Sequence, residues 1–264
     1  MDVRKMQKMA GGILLVLAMN SFLFAAVAPV AKVVSVAPAQ ERGKQKEALK
    51  NVIEEKLAAK KLLQGDNIQV TVEDGKVLLD GTVNSLGEKR RVDAIVRRIS
   101  SSSLVENRLL IAGHEITDSA LAANVQQAID YSVFYSVFDW IKVKAKAGVV
   151  TLVGVAAEPW AEDSFMSVAA SVRGVKEVLD EVELLPVSIR DNEIRHIAAT
   201  AIYRELFFKP LSTAPNPPVH IIVNNGNVIL AGWVHSDLDR MEAESLVESN
   251  TMAAKITDNL DIRP

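Results

Sequence analysis

One hairpin pattern occurs three times in this chain of 264 residues, and it constrains the fold more than any other feature. The turn glycines are Gly75, Gly148 and Gly226, which lie 73 and 78 residues apart. Apolar residues alternate with other residues on both sides of each glycine, which is typical of a half-buried β-hairpin. Self-similarity at a nearly constant period indicates several copies of one structural unit. We therefore predict three repeats of the same small fold.

The turns and a second glycine add detail to this hairpin. Asn225-Gly226 is a favoured type I′ pair, whereas Ala147-Gly148 matches that turn less well. A second glycine follows six residues after each turn glycine, on the inward side of the strand: Gly81, Gly154 and Gly232. Glycine weakens a strand unless something approaches its backbone closely. Two interpretations stay open, a helix crossing the sheet at this point or a β-bulge.

Each hairpin is flanked by helical patterns and followed by one more strand. Apolar residues spaced by three or four mark one face of a helix before and after each hairpin. The stripes before the hairpins are Leu49, Ile53, Leu57; Leu121, Val125, Ile129; and Ile194, Ala198, Ile202. We predict an α+β protein of three tandem αββαβ domains, each a three-stranded sheet with two helices on one face. The predicted domains span residues 44–112, 116–186 and 190–264.

This element order and the hairpin motif resemble those of the BON (bacterial OsmY and nodulation) domain. The motif -G-x-V-x-L-x-G-x-V- fits residues 75–83 and 226–234 throughout, while the second copy has Ala156 in place of the last valine. The resemblance implies a Gram-negative periplasmic protein, and the lack of a catalytic motif leads us to expect no enzymatic activity. The resemblance also implies lipid binding and a role in envelope integrity or osmotic stress. Similar small units build rings and secretion or motor complexes, which leaves a scaffold role open.

The first 39 residues differ in character from the repeats. Basic residues Arg4, Lys5 and Lys8 precede a long apolar stretch, and Ala37-Pro-Ala39 is an acceptable cleavage site. The stretch is also long enough to span a bilayer. A signal peptide and an uncleaved inner-membrane anchor are therefore both open.

Charge and composition exclude several function classes. Residues 113–186 carry 5 Lys+Arg against 11 Asp+Glu, and the whole chain has a formal net charge of −3, so we expect no nucleic-acid partner. There is no cysteine, and the four histidines have no zinc-ligand spacing. We expect no metal, no cofactor and no catalytic residues.

The second repeat carries the densest aromatic cluster. Val133 and Phe134 match apolar positions of the other repeats and are assigned to the core. Four aromatic residues are surplus, and a lysine stripe follows them along the first strand. The predicted lipid-binding residues are Tyr131, Tyr135, Phe138, Trp140, Lys142, Lys144 and Lys146. Amphipathic aromatics next to lysines suit an anionic phospholipid surface. The alternative is that the aromatics pack against a neighbouring repeat and the lysines form a solvated strand face.

The third repeat is apolar on the outer face of its hairpin. Ile222, Ile229, Ala231 and Trp233 lie where the first repeat carries mostly polar residues. A sheet that is apolar on both faces is normally covered on both. We predict a protein interface there, with another repeat, with a second copy of the chain or with a different envelope protein.

Two functions follow from these patterns. The first is a periplasmic protein that binds anionic phospholipid surfaces and supports the envelope. The second is a structural module of a larger envelope assembly, held through the third domain.

Overall fold

Each repeat folds into the same five-part unit. The computed structural model describes residues 39–62, 67–73, 75–100, 104–112, 116–214 and 216–263, so the signal-peptide or anchor interpretation falls outside the described residues. Domain 1 contains α1 (Ala39–Ala59), β1 (Asn67–Glu73), β2 (Lys76–Val83), α2 (Leu86–Ile99), β3 (Leu104–Asn107) and β4 (Leu110–Ile111). Domain 2 contains α3 (Asp118–Asp130), β5 (Trp140–Lys146), β6 (Val149–Ala156), α4 (Pro159–Ser171) and β7 (Glu177–Leu184). Domain 3 contains α5 (Ile189–Arg204), a 3₁₀ turn (Lys209–Thr213), β8 (Val219–Asn224), β9 (Asn227–Val234), α6 (Asp237–Asn250) and β10 (Lys255–Ile262).

The three sheets share one topology. In every domain the hairpin strands are antiparallel, and the closing strand runs parallel to the second hairpin strand, which is therefore central. A parallel pair needs a crossover connection, and the helix between the second and third strands provides it. In domain 1 the closing strand is divided into β3 and β4, and both pair with β2. The predicted α+β class and the three tandem αββαβ units are confirmed.

Each domain has its own hydrophobic core between its helices and its sheet. The stripes predicted from the sequence lie in these cores, and Ile53, Val125 and Ala198 are fully buried at equivalent positions of the three first helices. A unit of about 70 residues buries a thin core and is only marginally stable. Contacts between neighbouring domains therefore matter for stability.

An aspartate at the start of the first helix holds the hairpin turn in domains 2 and 3. Asp118 accepts a hydrogen bond from the N–H of Ala147 at 2.8 Å. The equivalent Asp191, which is buried, accepts bonds from Asn225 and Gly226 at 2.9 and 2.8 Å. Both turns have positive φ at their central residues, so the Ala147 turn does not differ from the Asn225 turn as the sequence suggested.

The second glycine of each hairpin has a different role from either predicted one. Gly81, Gly154 and Gly232 have φ of +120°, +143° and +113°, a region that other residues rarely adopt. A Cβ atom on Gly154 would overlap the carbonyl oxygen of Trp140 on the neighbouring strand. Strand pairing on both sides of Gly81 and Gly154 is one to one, without the extra residue of a bulge, so the bulge interpretation is wrong at these two positions. The close approach that requires glycine is made by the backbone of the neighbouring strand.

The outward edge of the first hairpin strand is paired by side chains in domains 2 and 3. The amide of Gln126 on α3 accepts a hydrogen bond from Val143 N at 3.1 Å and donates one to Ile141 O at 3.0 Å. In domain 3 the hydroxyl of Tyr203 binds both the N–H and the carbonyl of Val219. Exposed strand edges are templates for unwanted pairing, so these side chains protect the two sheets.

Domains 1 and 2 meet through backbone hydrogen bonds between loops. Leu86 N donates to Val175 O, and Gly174 N donates to Asn84 O, both at 3.0 Å. The Leu86 side chain packs against the core of domain 2. The two domains are therefore joined by directional contacts and not only by the linker between them.

Candidate functional site

The segment between α3 and β5 of domain 2, residues 131–140, carries most of the predicted lipid-binding residues. Tyr135 is buried in the core of domain 2, where its ring packs edge-on against Phe165 with centroids 5.6 Å apart. Its hydroxyl accepts a hydrogen bond from Ile141 N at 3.3 Å. Burial raises the pKa of the Tyr135 phenol well above its usual value. Tyr135 thus supports the fold of domain 2, and reaching a lipid surface would require the domain to open.

The next residues of the segment lie against domain 3. Phe138 packs onto the core of domain 3, with its ring 5.2 Å from that of His196. Val137 O accepts a hydrogen bond from Ile221 N at 2.7 Å, so the segment contacts the outer edge of β8 through a single backbone bond. Trp140 is half-buried, and its ring lies 5.1 Å from that of His220. Phe138 and Trp140 are therefore placed as in the alternative interpretation, against a neighbouring repeat.

A buried polar pair lies at the centre of this junction. The Asp139 carboxylate accepts hydrogen bonds from the N–H and hydroxyl of Ser136 and from Ala157 N, at 2.7 to 2.9 Å. His220 Nδ1 lies 2.6 Å from the backbone oxygen of Asp139, so the neutral ring donates from this nitrogen. Burial lowers the pKa of His220 to about 4, against the opposing effect of its backbone hydrogen bonds. The junction therefore holds a histidine that must stay neutral.

A second group of apolar residues in domain 2 faces solvent. Tyr131, Val133, Phe134 and Trp160 are 68%, 91%, 43% and 56% exposed, and the Phe134 and Trp160 rings meet edge-on at 6.2 Å. We call these four residues the domain 2 apolar patch. The assignment of Val133 and Phe134 to the core is wrong, because α3 ends at Asp130 and the turn that follows points them outward. Of the four predicted aromatics, Tyr131 is the one in this patch.

The predicted lysine stripe is solvent-exposed. Lys142, Lys144 and Lys146 alternate along β5, and all three are exposed. The Lys142 ammonium lies 5.5 Å from the centroid of the Trp140 ring, within the range of a cation–π contact. The stripe therefore presents three positive charges in a domain whose net charge is negative.

The predicted interface residues of domain 3 are largely covered within the chain. Ile222 and Ala231 are 4% and 3% exposed, while Ile229 and Trp233 are half-buried. His220, which shares this face of the sheet, contacts Tyr135 and Trp140 of domain 2. The arrangement matches the intramolecular alternative, in which another repeat covers the face.

Neither a metal site nor a membrane span is supported by the described residues. Within them, no group of three or more His, Asp or Glu side chains is placed to hold a metal ion. None of the helices in the described part of the chain is both long and apolar enough to cross a bilayer. His114 lies outside the described residues.

The repeated αββαβ units define a chain built from three copies of one small domain. A family model for the BON domain matches residues 45–113, 117–186 and 197–264. The chain belongs to the BON domain family, and this membership indicates a periplasmic envelope protein.

The individual proteins to which this chain is similar share 30% of its residues or fewer in the aligned regions. A protein of Anaplasma centrale, described as an uncharacterized protein in the gshII 5′ region, is 30% identical over 135 residues, which is 47% of this chain and 85% of that relative. Among solved structures, the C-terminal domain of CdsD, a structural protein of the type III secretion system of Chlamydia trachomatis, matches at 12% identity and a TM-score of 0.23, covering 83% of this chain and 96% of that one. The PrgH periplasmic domain matches at 10% identity and a TM-score of 0.22, covering 77% and 99%. Likeness at this level carries no functional weight.

Proposed function

We propose that this protein is a periplasmic envelope protein that binds anionic phospholipid surfaces through domain 2. The observation that carries the proposal is the domain 2 apolar patch, in which four large apolar side chains face solvent within one small domain. The Phe134 and Trp160 rings are in contact, and contiguous exposed apolar surface marks an interaction site more often than scattered single residues do. Tyr and Trp are also the residues that favour the boundary between lipid and water.

The lysine stripe adds the electrostatic part of the proposal. An anionic membrane attracts basic side chains near its surface by about 1 kcal/mol each. Lys142, Lys144 and Lys146 would then contribute about 3 kcal/mol, which is on the order of a hundredfold in affinity. The residues proposed to touch lipid are thus the three lysines and the domain 2 apolar patch. Of the patch, Val133, Phe134 and Trp160 were not among the lipid-binding residues predicted from the sequence. Tyr135, Phe138 and Trp140 keep the segment folded and in place.

Liposome flotation with the purified protein tests this function. We expect binding to vesicles of phosphatidylglycerol and phosphatidylcholine, and much weaker binding to phosphatidylcholine alone. A Val133→Ser, Phe134→Ser, Trp160→Ser variant should lose binding to both, whereas Val187→Ser, which alters a single exposed linker residue, should bind like the wild type. No binding of the wild-type protein to anionic vesicles would overturn the function.

The charge contribution has its own matched control. Replacing Lys142, Lys144 and Lys146 with glutamine should weaken binding to anionic vesicles on the order of a hundredfold. The same change at Lys56, Lys60 and Lys61, which are exposed in domain 1, removes equal charge from another surface. Equal losses in the two triple variants would show net charge to be the cause and would reject the site.

In the cell, we propose that this binding supports envelope integrity or tolerance of osmotic stress. A strain that lacks the protein should then grow poorly at high osmolarity and should be rescued by the wild type but not by the triple-serine variant. Rescue by both would separate the cellular role from lipid binding.

A scaffold role in an envelope assembly is the second candidate. It is favoured by exposed apolar residues of domain 3 outside the covered sheet face: Leu206, Phe207, Leu238, Met241 and Met252. Cross-linking in intact cells, with a photoreactive residue at Leu238, should capture one defined partner under this hypothesis. A protein that stays monomeric and uncross-linked would contradict it.

A further inference from the structure

A cleft at the junction of domains 2 and 3 has features of a binding site for a small molecule. Its volume is about 320 Å³, and both domains line it. The size lies at the small end of the usual range for ligand pockets, which often form at domain interfaces. The lining includes two indole rings, Trp140 from domain 2 and Trp233 from domain 3.

Four charged side chains of both signs line the cleft. They are Asp130 and Lys142 from domain 2 and Asp261 and Arg263 from domain 3. Among the described residues, no ion pair joins any of them. Lys142 and Arg263 instead lie over the rings of Trp140 and Trp233, at 5.5 and 5.9 Å from the centroids. The cleft therefore has no formal net charge but carries two separate positive and two separate negative groups.

The state of Asp130 supports this description. Burial raises the pKa of its carboxyl group, and neither the hydrogen bond from Gln126 nor the charge of Arg263 fully offsets that effect. A carboxylate in this state gains from a positively charged partner that replaces the water it has lost.

We propose that this cleft binds a short zwitterionic peptide. The ammonium group would pair with Asp130 and Asp261, and the carboxylate with Arg263 and Lys142. The side chains of the peptide would pack on the indole rings of Trp140 and Trp233. Inorganic phosphate would face two carboxylates, and a neutral sugar would leave all four charges without partners. This inference goes beyond membrane binding and does not depend on it.

Intrinsic fluorescence and calorimetry test the proposal with defined probes. All three tryptophans of the chain lie in domains 2 and 3, and two of them line the cleft. We expect trialanine to bind saturably in the millimolar range or more tightly and to change the tryptophan emission. The N-acetylated and C-amidated trialanine has the same backbone without terminal charges, so it should bind at least about tenfold more weakly. Absence of saturable trialanine binding, equal binding of the capped peptide, or tighter binding of phosphate or chitobiose would each overturn the proposal.

Two variants then locate the site. Arg263→Gln and Asp261→Asn each remove one charge from an exposed residue at the end of β10, and each should weaken trialanine binding at least about tenfold. The backbone hydrogen bonds of Arg263 to Val234 and His235 do not involve its side chain, so the fold should be retained. Lys144→Gln, on the same strand as Lys142 but outside the cleft lining, is the matched control. Wild-type affinity in both cleft variants, with unchanged thermal melts, would exclude this cleft.

Discussion

The buried histidine at the junction of domains 2 and 3 predicts a specific loss of stability in acid. His220 has a folded-state pKa of about 4 and an ordinary value of 6.5 in the unfolded chain. Below pH 6.5 the unfolded chain binds a proton that the folded protein excludes, so stability falls as pH falls towards the folded pKa. Stability from this group is thus fully present above pH 6.5 and is lost by about pH 4.

The size of the effect follows from these two values. One pKa unit corresponds to about 1.36 kcal/mol, so the full difference is about 3 kcal/mol. Between about pH 7 and about pH 4.5, linkage predicts that His220 lowers the free energy of unfolding by about 2 kcal/mol. In His220→Gln the side-chain amide can still donate to Asp139 O but does not titrate, so this part of the pH dependence should disappear.

Urea unfolding followed by tryptophan fluorescence measures the effect in the relevant domains, because Trp140, Trp160 and Trp233 all lie in domains 2 and 3. The quantity to compare is the loss of unfolding free energy from pH 7 to pH 4.5 in wild type and His220→Gln. Carboxylates contribute equally to both proteins, so their effect cancels. His235→Gln removes an exposed imidazole and serves as the control. Parallel pH profiles for wild type and His220→Gln would refute the reasoning.

The repeats supply two further predictions, each with an internal control, and thermal unfolding followed by circular dichroism measures both. Gly154→Ala should destabilise by at least about 3 kcal/mol, because its φ of +143° and the overlap with Trp140 O are both unfavourable for alanine. Gly43→Ala, in α1 with nothing within 4 Å of the new Cβ, should stabilise the protein by about 1 kcal/mol. If Gly154→Ala and Gly43→Ala changed the unfolding free energy in the same direction, the role given to the strand glycine would be contradicted. Asp191→Ala should cost about 3 kcal/mol, since the N–H groups of Asn225 and Gly226 lose their buried acceptor, whereas the exposed Asp118→Ala should cost about 1 kcal/mol or less. Equal costs would show that burial of the turn aspartate is unimportant.

The helices and strands could be predicted from the sequence because the spacing of apolar residues shows which face of each element is buried inside its own domain. The alternation around Gly148 predicted the β5–β6 hairpin, and the spacing of Leu121, Val125 and Ile129 predicted the buried face of α3. These patterns repeat in the same register, so each copy supports the assignment of the others. The fold class therefore required no information from outside the chain.

The contacts between domains could not be predicted in this way. Val133 and Tyr135 are two residues apart in a turn, where no period relates position to burial, and their predicted environments were interchanged. The alternation along β8 places the apolar Ile222 on the outer face of the sheet, but it does not indicate which surface covers this residue.

The positive φ of Gly154 could not be predicted either. It depends on the position of a carbonyl on the neighbouring strand, which no local pattern encodes.

The hydrogen bond from Ile221 N to Val137 O bears on how readily this protein aggregates. Val137 of the loop pairs with Ile221 at the centre of the β8 edge, whereas Tyr203 and Arg195 of domain 3 bind Val219 and the Val223 carbonyl. Detaching the loop therefore uncovers the centre of a strand rich in β-branched residues. Such a strand can recruit a second chain in place of its own loop. We expect fragments that begin after domain 2 to aggregate more readily than the full chain, with intermolecular strand pairing as the cause. The loop of domain 2 thus protects the edge of the domain 3 sheet from pairing with another chain.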